Sequence, residues 1–357
     1  MDDHNIDGHK LHLHPEEVVM WKHFRNDWVK IRNLFPIYVE VSPVSYCNSG
    51  CTFCGLDFVN QEKCVQINPI KLNEAIIDMG KFGVKSVMFG GAGEPLLYPN
   101  LADSLKWCRM VHMNSAITTN LTLELPDEAI KSCSWVKVSI NGGTAKTYEA
   151  VHQRDHFEKV TMNMHKAVAK RQELKSRCTL GAQLVLLPEN ADSVEQLILA
   201  VKAIGFDYVV IKPYSQHLSS KTRKYNEINY NELGADYQQW ESYSNGNFKV
   251  IVRARSMETW DMKQRNYRKC WSMPFFGAYV AENGDVYSCS CYIGNPDFKL
   301  GNIYGKSFSK IWLDREKNYR HVRERLDVSK CRVNCHFDKI NEYLERVINP
   351  RSHDNFL

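Results

Sequence analysis

The sequence predicts an α/β protein: a partial (β/α)6 barrel of the TIM-like type, followed by a smaller C-terminal domain. Apolar runs typical of buried parallel strands alternate with longer amphipathic stretches in the first two thirds of the chain. Six such units fit between Ile37 and Tyr214, whereas a closed eight-unit barrel typically needs about 250 residues. The total of 357 residues is enough for this barrel and a second, smaller domain.

The six strands are predicted from short runs rich in valine, isoleucine and threonine. In chain order they are Ile37–Val41, Ser86–Gly90, Ser115–Thr118, Val136–Ile140, Ala182–Leu187 and Tyr208–Lys212. Helices are predicted at Pro69–Phe82, Asn100–Val111, Ala145–Leu174, which could be broken, and Ser193–Ile204. Ligands of such sheets bind at the carboxyl ends of the strands, so residues there are the first candidates for a functional site.

The region before the first strand is predicted to be a helical extension. The stretch His14–Trp21 has an amphipathic pattern, and Pro15 is placed where proline is favoured in a first helical turn. No apolar signal segment precedes it, and no apolar run in the chain is long enough to span a bilayer. We therefore expect a cytoplasmic protein without a membrane partner.

The net charge of +5 comes from lysines and arginines scattered through the sequence. Modest basic clusters occur at 221–224 and 265–269, but neither forms a long basic stripe. This distribution is typical of a solvated surface and does not indicate a nucleic-acid partner.

Twelve cysteines in a reducing compartment do not indicate a disulfide framework. Four lie singly among apolar or helical residues and are expected to be buried and inert: Cys64, Cys108, Cys133 and Cys178. The other eight form two groups. The first is Cys47, Cys51 and Cys54, and the second is Cys270, Cys289, Cys291, Cys331 and Cys335.

The first group has C-x3-C-x2-C spacing and directly follows the first predicted strand. Three thiolates on one loop can hold three irons of a four-iron four-sulfur cluster and leave the fourth iron without a protein ligand. This motif resembles that of the radical S-adenosylmethionine (SAM) superfamily, in which the methionyl amine and carboxylate of SAM bind the fourth iron. Phe53 matches the aromatic position before the third cysteine of that family.

The resemblance continues at the ends of the next strands. The segment Gly91-Ala92-Gly93-Glu94 resembles the turn that binds the methionyl amine of SAM, because glycines permit close approach and a carboxylate accepts hydrogen bonds from an ammonium group. Further matching positions are Asn120, Ser139 and Asn141, the last often aspartate in the family and implied to contact the ribose. Asn120 could instead cap a turn, and Ser139 could satisfy backbone groups. Lys212 and Tyr214, after the sixth strand, could reach SAM or substrate or be solvated loop residues.

The second cysteine group resembles the SPASM/Twitch extension of radical SAM enzymes. Thirteen residues separate Cys270 from Gly284, four more separate Gly284 from Cys289, and Cys331 and Cys335 follow as C-x3-C. A full SPASM domain carries more cysteines for two clusters, so the resemblance implies one auxiliary four-iron four-sulfur cluster here.

The ligands implied for this cluster are Cys270, Cys289, Cys331 and Cys335. Cys289 and Cys291 are two apart on a predicted strand and would face one side, so either could serve. A zinc ribbon is the alternative for four thiolates. The implied domains are a helical extension (1–34), a radical SAM partial barrel (35–235), a SPASM/Twitch-like domain (236–345) and a C-terminal tail (346–357).

The resemblance implies an enzyme that cleaves SAM to a 5′-deoxyadenosyl radical, which takes a hydrogen atom from the substrate. An auxiliary cluster could accept the electron of the substrate radical, so the expected reaction is a two-electron dehydrogenation. If Cys291 returned a hydrogen atom instead, the enzyme would be an epimerase. A non-catalytic electron carrier would leave the segment from Gly91 to Glu94 unexplained.

The expected substrate is a hydroxylated small molecule such as a sugar or aminocyclitol. Peptide-modifying SPASM enzymes are the alternative, but they often carry a leader-binding module, for which the residues before Ile37 are expected to be too few. A low-potential electron donor such as flavodoxin or ferredoxin is an expected partner.

Overall fold

The computed structural model describes residues 8–59 and 63–356. The first seven residues of the predicted N-terminal extension and the last residue of the predicted tail lie outside this part. The strands are β1 (Tyr38–Val41), β2 (Ser86–Phe89), β3 (Asn114–Thr119), β4 (Cys133–Ser139), β5 (Thr179–Val185), β6 (Tyr208–Lys212), β7 (Lys249–Val252), β8 (Gly277–Val280), β9 (Asp285–Tyr287) and β10 (Lys299–Asn302).

All of these strands belong to one sheet with the order β10-β9-β8-β1-β2-β3-β4-β5-β6-β7. Strands β1 to β7 pair in parallel with their neighbours in sequence, and β8 pairs in parallel with β1. The sheet does not close, because β7 and β8 are not neighbours in it. The predicted partial α/β barrel is thus confirmed, and β7 and β8 extend it by one parallel strand on each side.

The helices between the parallel strands follow the predicted pattern. They are α3 (Pro69–Lys81), α4 (Leu101–Met110), α5 (Asp127–Ser132), α6 (Ala145–His152), α7 (Phe157–Glu173), α8 (Val194–Ile204), α9 (Tyr237–Ser242) and α10 (Ala254–Met262). The predicted break in Ala145–Leu174 is present between α6 and α7. The short helix α5 was not predicted, because six residues contain too little of the helical period to be recognised.

The remaining helices belong to the N-terminal and C-terminal parts of the sequence. They are α1 (Pro15–Phe24), α2 (Trp28–Ile31), α11 (Phe308–Leu313), α12 (Glu316–Glu324) and α13 (Asp338–Ile348). Pro15 is the first residue of α1, as predicted. Trp21 of α1 is fully buried against C-terminal residues that include Trp271 and Leu344. The predicted N-terminal extension therefore covers the C-terminal part of the chain.

Alternation along the strands decides what faces the interior of the barrel. In β1, Val39 and Val41 are fully buried in the core between sheet and helices, whereas Tyr38 and Glu40 line a cavity inside the barrel. In β4, Val136 and Val138 are buried in the same way, and Lys137 and Ser139 line the cavity. The inner face of this barrel is therefore polar.

Among the four single cysteines, Cys108, Cys133 and Cys178 are buried as expected, but Cys64 is exposed. Cys64 lies in the loop between β1 and α3, outside the helices and strands that form the core. Within the described residues, no helix is both long and apolar enough to cross a membrane.

Candidate functional site

A cavity of about 1280 Å³ lies inside the barrel and opens at the carboxyl ends of its strands. It exceeds the roughly 300–1,000 Å³ of pockets for a single small molecule. All three cysteines of the first group and all eight residues predicted to contact SAM line it: Cys47, Cys51, Cys54, Phe53, Gly91, Ala92, Gly93, Glu94, Asn120, Ser139 and Asn141. Residues far apart in sequence are thus brought to one surface.

The three thiols have the chemistry of a metal-cluster donor set. Burial raises the pKa of Cys47 to about 11, and it also raises the pKa values of Cys51 and Cys54. Such thiols stay neutral at neutral pH unless a positive centre stabilises the thiolates, and iron supplies that charge. The cysteine loop therefore fits an iron–sulfur cluster.

His152, at the end of α6, contacts this loop. Its Nδ1 lies 3.2 Å from Cys51 Sγ, and its Nε2 lies 3.0 Å from the Ile140 carbonyl oxygen. Burial lowers the pKa of His152 to about 4, so the ring is neutral at neutral pH. This contact was not predicted, because His152 is about a hundred residues from Cys51 and belongs to no motif.

The loop after β6 covers the cysteine loop from the other side. Asp57 accepts hydrogen bonds from the backbone amides of Lys221 (2.7 Å) and Thr222 (2.8 Å). His217 stacks on Phe58 and places its Nε2 3.0 Å from the carbonyl oxygen of Ser290, between the cysteines of the second group. This loop therefore joins the two cysteine regions.

Glu94 is buried at the carboxyl end of β2. Its carboxylate accepts hydrogen bonds from the backbone amides of Leu96 (3.0 Å) and Asn120 (2.7 Å) and from the Thr119 hydroxyl. Burial raises the pKa of Glu94 to about 7 despite these three donors. A buried carboxylate with this pKa favours a cationic partner, which fits an ammonium group.

The glycines before Glu94 permit close backbone contacts. Gly91 has a positive φ of 96°, and a Cβ there would lie 2.5 Å from Ser42 Cβ. A Cβ on Gly93 would lie 2.3 Å from the carbonyl oxygen of Tyr46, directly before Cys47. Only glycine fits where this segment crosses the start of the cysteine loop.

We expect Gly93→Ala to impair both SAM binding and iron incorporation. The added Cβ would also lie 2.5 Å from the Val44 carbonyl oxygen, and backbone atoms cannot rotate away as a side-chain end can. Iron and SAM affinity should be measured after anaerobic reconstitution. The control is Gly246→Ala, where an added Cβ meets nothing within 4 Å. Full iron content together with unchanged SAM affinity would contradict this prediction.

The three polar residues predicted beyond Glu94 are held by the protein itself. Asn120 accepts a hydrogen bond from the Thr122 amide (3.0 Å), the turn-capping role considered above, and donates to Asn48 in the cysteine loop (2.8 Å). Ser139 accepts from the Gln183 side chain at 3.4 Å. The buried Asn141 accepts from the Val185 amide at 2.8 Å. All three still line the cavity, so their contact with SAM stays a prediction.

The two candidate residues at the end of β6, Lys212 and Tyr214, lie in different environments. Lys212 lines the cavity, whereas Tyr214 is buried outside it with its hydroxyl bonded to Gln216. Tyr214 also packs on Tyr225 and Trp260. It faces away because the chain leaves the strand after Lys212, where strand alternation no longer applies.

The cysteines of the second group lie close to one another, near Cys335. The sulfur of Cys291 lies 3.9 Å from that of Cys335 and shares a hydrogen bond with Cys289, which is the largest cause raising the pKa of Cys291 well above its ordinary value. Cys270 lies in the same apolar cluster. Cys331 Sγ lies 3.1 Å from the Tyr292 hydroxyl. The structure therefore brings all five cysteines together.

The strand predicted for Cys289 and Cys291 is wrong. Strand β9 ends at Tyr287, Cys289 precedes a 3-10 helix, and Cys291 lies within that helix at Ser290–Tyr292. Both thiols are buried because the helix turns them into the apolar cluster, and strand alternation does not place them.

In the described part of the chain, no three His, Cys, Asp or Glu side chains are grouped to hold a single metal ion. Thiolates of a four-iron cluster bind different irons, so they need not converge on one point.

Several charged or aromatic lining residues were not predicted, among them Glu40, Lys137, Arg253, Arg332 and His336. Two of them had a signal in the sequence. A charge between two valines, as in Val39-Glu40-Val41 and Val136-Lys137-Val138, is unusual in a strand covered on both faces and marks an inner polar surface. Arg332 and His336 had no comparable signal, since only the fold brings the second cysteine region to the cavity.

Two sequence profiles match the chain. The radical SAM superfamily profile covers residues 41–201, and that of the SPASM iron–sulfur cluster-binding domain covers 270–336. No curated protein matches the sequence significantly.

Solved structures with a similar fold include SuiB from Streptococcus suis, with a TM-score of 0.63 and 18% identity over 87% of this chain and 74% of SuiB. Native anSMEcpe with bound AdoMet and Cp18Cys peptide gives a TM-score of 0.57 and 18% identity over 88% of this chain and 99% of that one. These identities establish similarity of fold alone.

The two matched regions carry the two cysteine groups, and the first contains all the predicted SAM contacts. Radical SAM and SPASM domains use SAM and four-iron four-sulfur clusters as cofactors. The chain therefore belongs to the radical SAM superfamily, as an enzyme with a C-terminal SPASM domain.

Proposed function

We propose that this enzyme abstracts a hydrogen atom from a hydroxylated small molecule and carries out a net two-electron dehydrogenation, converting an alcohol to a ketone. The observation that carries the proposal is that the candidate cofactor residues and the inner face of the barrel share one cavity. The first cysteine group, the Gly91–Glu94 segment and the inner face of the barrel all line it, and Arg332 and His336 reach it from the second cysteine region. The cofactor site and a candidate substrate site are therefore continuous.

When bound, SAM at the reduced first cluster supplies a 5′-deoxyadenosyl radical, and the SPASM cluster supplies an electron acceptor. We assign Cys47, Cys51 and Cys54 to the first cluster. Glu94 would accept hydrogen bonds from the methionyl ammonium, and Gly91–Gly93 would allow close backbone approach. Asn120, Ser139 and Asn141 would contact the remainder of SAM, and Phe53 would pack beside the cluster.

In the proposed reaction the substrate loses two hydrogen atoms in total, one as an atom and one as a proton and an electron. The carbon bearing the hydroxyl group loses a hydrogen atom, the resulting radical loses one electron, and the hydroxyl loses a proton. Lys212 is the lining residue proposed to accept that proton. Burial and the nearby Lys137 lower the pKa of Lys212 well below its ordinary value, which makes the neutral amine accessible.

The direct test uses reconstituted enzyme, SAM, a low-potential reductant and candidate substrates labelled with deuterium at the carbinol carbon. We expect deuterium in 5′-deoxyadenosine and a ketone product. SAM cleavage without deuterium transfer from any alcohol, together with transfer from a peptide, would overturn the proposal.

A peptide is the alternative class of substrate. SuiB has been crystallised with the precursor peptide SuiA, and anSMEcpe with a Cp18Cys peptide. The shared fold makes a peptide substrate the second candidate. The small-molecule proposal is supported by the inner face of the barrel, where Glu40, Lys137 and Lys212 place charged groups in the cavity lining.

Epimerisation is the alternative reaction, with Cys291 as hydrogen donor. Oxidation is supported by the position of Cys291: its sulfur contacts Cys335, and it is not among the residues that line the cavity. For the auxiliary cluster we propose Cys270, Cys289, Cys331 and Cys335 as ligands, with Cys291 beside them.

We expect Cys291→Ala to retain dehydrogenation, with no solvent deuterium at the abstracted carbon when the reaction runs in heavy water. A thiol hydrogen exchanges with solvent, so a donor cysteine in the wild type would leave deuterium on that carbon. The matched variant Cys289→Ala should lose the auxiliary iron. Iron loss in Cys291→Ala and not in Cys289→Ala would show that Cys291 is the ligand.

A further inference from the structure

Arg332 lies between the cavity and the second cysteine group. It belongs to the segment from Cys331 to Cys335, and it is also one of the residues that line the cavity. Its Nε atom is buried and has no hydrogen-bond partner among the residues that the structure describes. A buried N–H group without an acceptor costs free energy, so this atom indicates a ligand that the protein alone does not supply.

The backbone around Arg332 is fixed by other residues. The Arg265 guanidinium donates hydrogen bonds to the carbonyl oxygens of Cys331 (2.8 Å) and Arg332 (2.6 Å). The Ser215 hydroxyl donates a hydrogen bond to the carbonyl oxygen of Val333 (3.1 Å). These contacts hold the segment in place without using the side-chain donors of Arg332.

The charge of Arg332 acts mainly on sulfur atoms. Burial alone would lower the pKa of Arg332, but Cys291, Cys335 and Cys289 raise it above its ordinary value. The effect is mutual: hydrogen bonds among the thiols raise the pKa values of Cys291 and Cys335, and the guanidinium acts against that rise. Glu40 on β1 has a smaller effect on the pKa of Arg332 than these cysteines have. Once iron ionises the cysteines, they are the anions that compensate Arg332.

Another arginine near this group has a different role. Arg265 Nε lies 3.8 Å from Asp338 Oδ1, and a terminal nitrogen of Arg265 donates to the two backbone carbonyls described above. Arg265 has a carboxylate partner and holds the segment, whereas Arg332 keeps a buried donor for a ligand.

We propose that Arg332 donates an Nε–H hydrogen bond to a sulfur atom of the auxiliary cluster and makes that cluster easier to reduce. Reduction adds one negative charge to an iron–sulfur cluster, so a nearby positive charge and an N–H donor stabilise the reduced form. Arginine keeps its charge at neutral pH, so the effect is permanent. Arg332 is a positioning residue in this role, because it acts on the reaction through the cluster.

The inference rests on the proposed function in one respect, the assignment of the second cysteine group to the auxiliary cluster. In the proposed dehydrogenation the substrate radical loses one electron and one proton as its carbonyl group forms, and the electron is taken up by the auxiliary cluster. A cluster that is easier to reduce is a better acceptor for that electron. Arg332 also lines the cavity, so it connects the candidate substrate site with the electron acceptor.

The test is a redox titration of the reconstituted holoenzyme without SAM, followed by electron paramagnetic resonance. A parallel reduced sample with SAM identifies the first cluster, because SAM changes the signal of the cluster that it binds. Arg332→Gln removes the charge and the Nε donor but keeps a polar side chain. We expect the midpoint potential of its auxiliary cluster to fall by at least about 59 mV, a tenfold change in a one-electron equilibrium constant.

Two further variants check the cause of this shift. Arg332→Lys keeps a positive charge and N–H donors, so it should recover at least about half of the lost potential. Lys137→Met is the control: it removes another cation from the cavity lining, and no cysteine is among the groups that shift the pKa of Lys137. Its auxiliary potential should match that of the wild type.

All three variants should keep the iron content of the wild type. Full iron with an unchanged potential in Arg332→Gln would overturn the proposal, and so would an equal fall of the potential in Lys137→Met. Loss of the auxiliary iron from both Arg332 variants would show that Arg332 holds the cluster in place, which would also overturn it.

A failure of the proposed function gives a different result. The potential is measured without substrate, so the expected shift can hold even if no alcohol transfers deuterium. Conversely, deuterium transfer with ketone formation, together with a wild-type potential in Arg332→Gln, would sustain the dehydrogenation and overturn this inference. Zinc at the second cysteine group would leave no potential to measure and would overturn both the cluster assignment and the inference.

Discussion

Replacing Cys47, Cys51 and Cys54 together with alanine should lower the iron content from about eight to about four per chain, the equivalent of one four-iron cluster. The two cysteine groups are separate in sequence and line different parts of the structure, so the second group should keep its iron. SAM cleavage should be abolished, because no iron would remain to bind the methionyl group. Iron and sulfide analysis with electron paramagnetic resonance of the reduced protein measures the result.

The matched control removes three other cysteines. Cys108, Cys133 and Cys178 are buried in the core of the barrel and belong to neither group. Their joint replacement by alanine should leave about eight irons per chain, as expected for two four-iron clusters. Full iron in the first triple variant would contradict the cluster assignment, and zinc in place of iron at the second group would favour the zinc-ribbon alternative.

Glu94→Gln should weaken SAM binding by about 1.5–3 kcal/mol, roughly a 10- to 150-fold rise in Kd, because an ammonium would lose its charged partner. Iron content should not change, since Glu94 is not a cysteine-loop residue. Binding should be measured at pH about 8, because burial raises the pKa of Glu94 to about 7 and the carboxylate must be ionised. The wild-type affinity should fall as the pH is lowered through 7, and that dependence on Glu94 should be absent from the variant.

A control is needed because Glu94 also holds the loop after β3. Thr119→Val removes one donor to the carboxylate while leaving the charge in place, so its effect on SAM binding should be much smaller. If Thr119→Val and Glu94→Gln weaken SAM binding equally, Glu94 acts by positioning the loop. Unaltered affinity in Glu94→Gln would exclude contact with the ammonium.

Local patterns in the sequence were sufficient for most of the barrel. All six predicted strands are present, and Tyr208–Lys212 has the predicted bounds. Each strand is short, apolar and flanked by an amphipathic helix, so neighbouring residues contain the signal. The cofactor motifs are equally local, because C-x3-C-x2-C and Gly91–Glu94 each lie on one loop at a strand end.

Long-range pairing could not be predicted in this way. Strand β8 lies next to β1 although more than two hundred residues separate them, and β7 extends the other edge. Parallel pairing is set by how the intervening chain packs, which no local pattern records. For the same reason the sequence did not reveal that Arg332 and His336 reach the cavity.

The sequence by itself determined the superfamily and the cofactors and predicted the surface where they bind, because each depends on cysteines, glycines and a carboxylate at short fixed spacing. Only the tertiary structure decided which polar residues share the cavity: it excluded Tyr214 and brought Lys137, Lys212, Arg253 and Arg332 into the lining. These four side chains come from distant parts of the chain, so they share a cavity only once the sheet has brought those parts together.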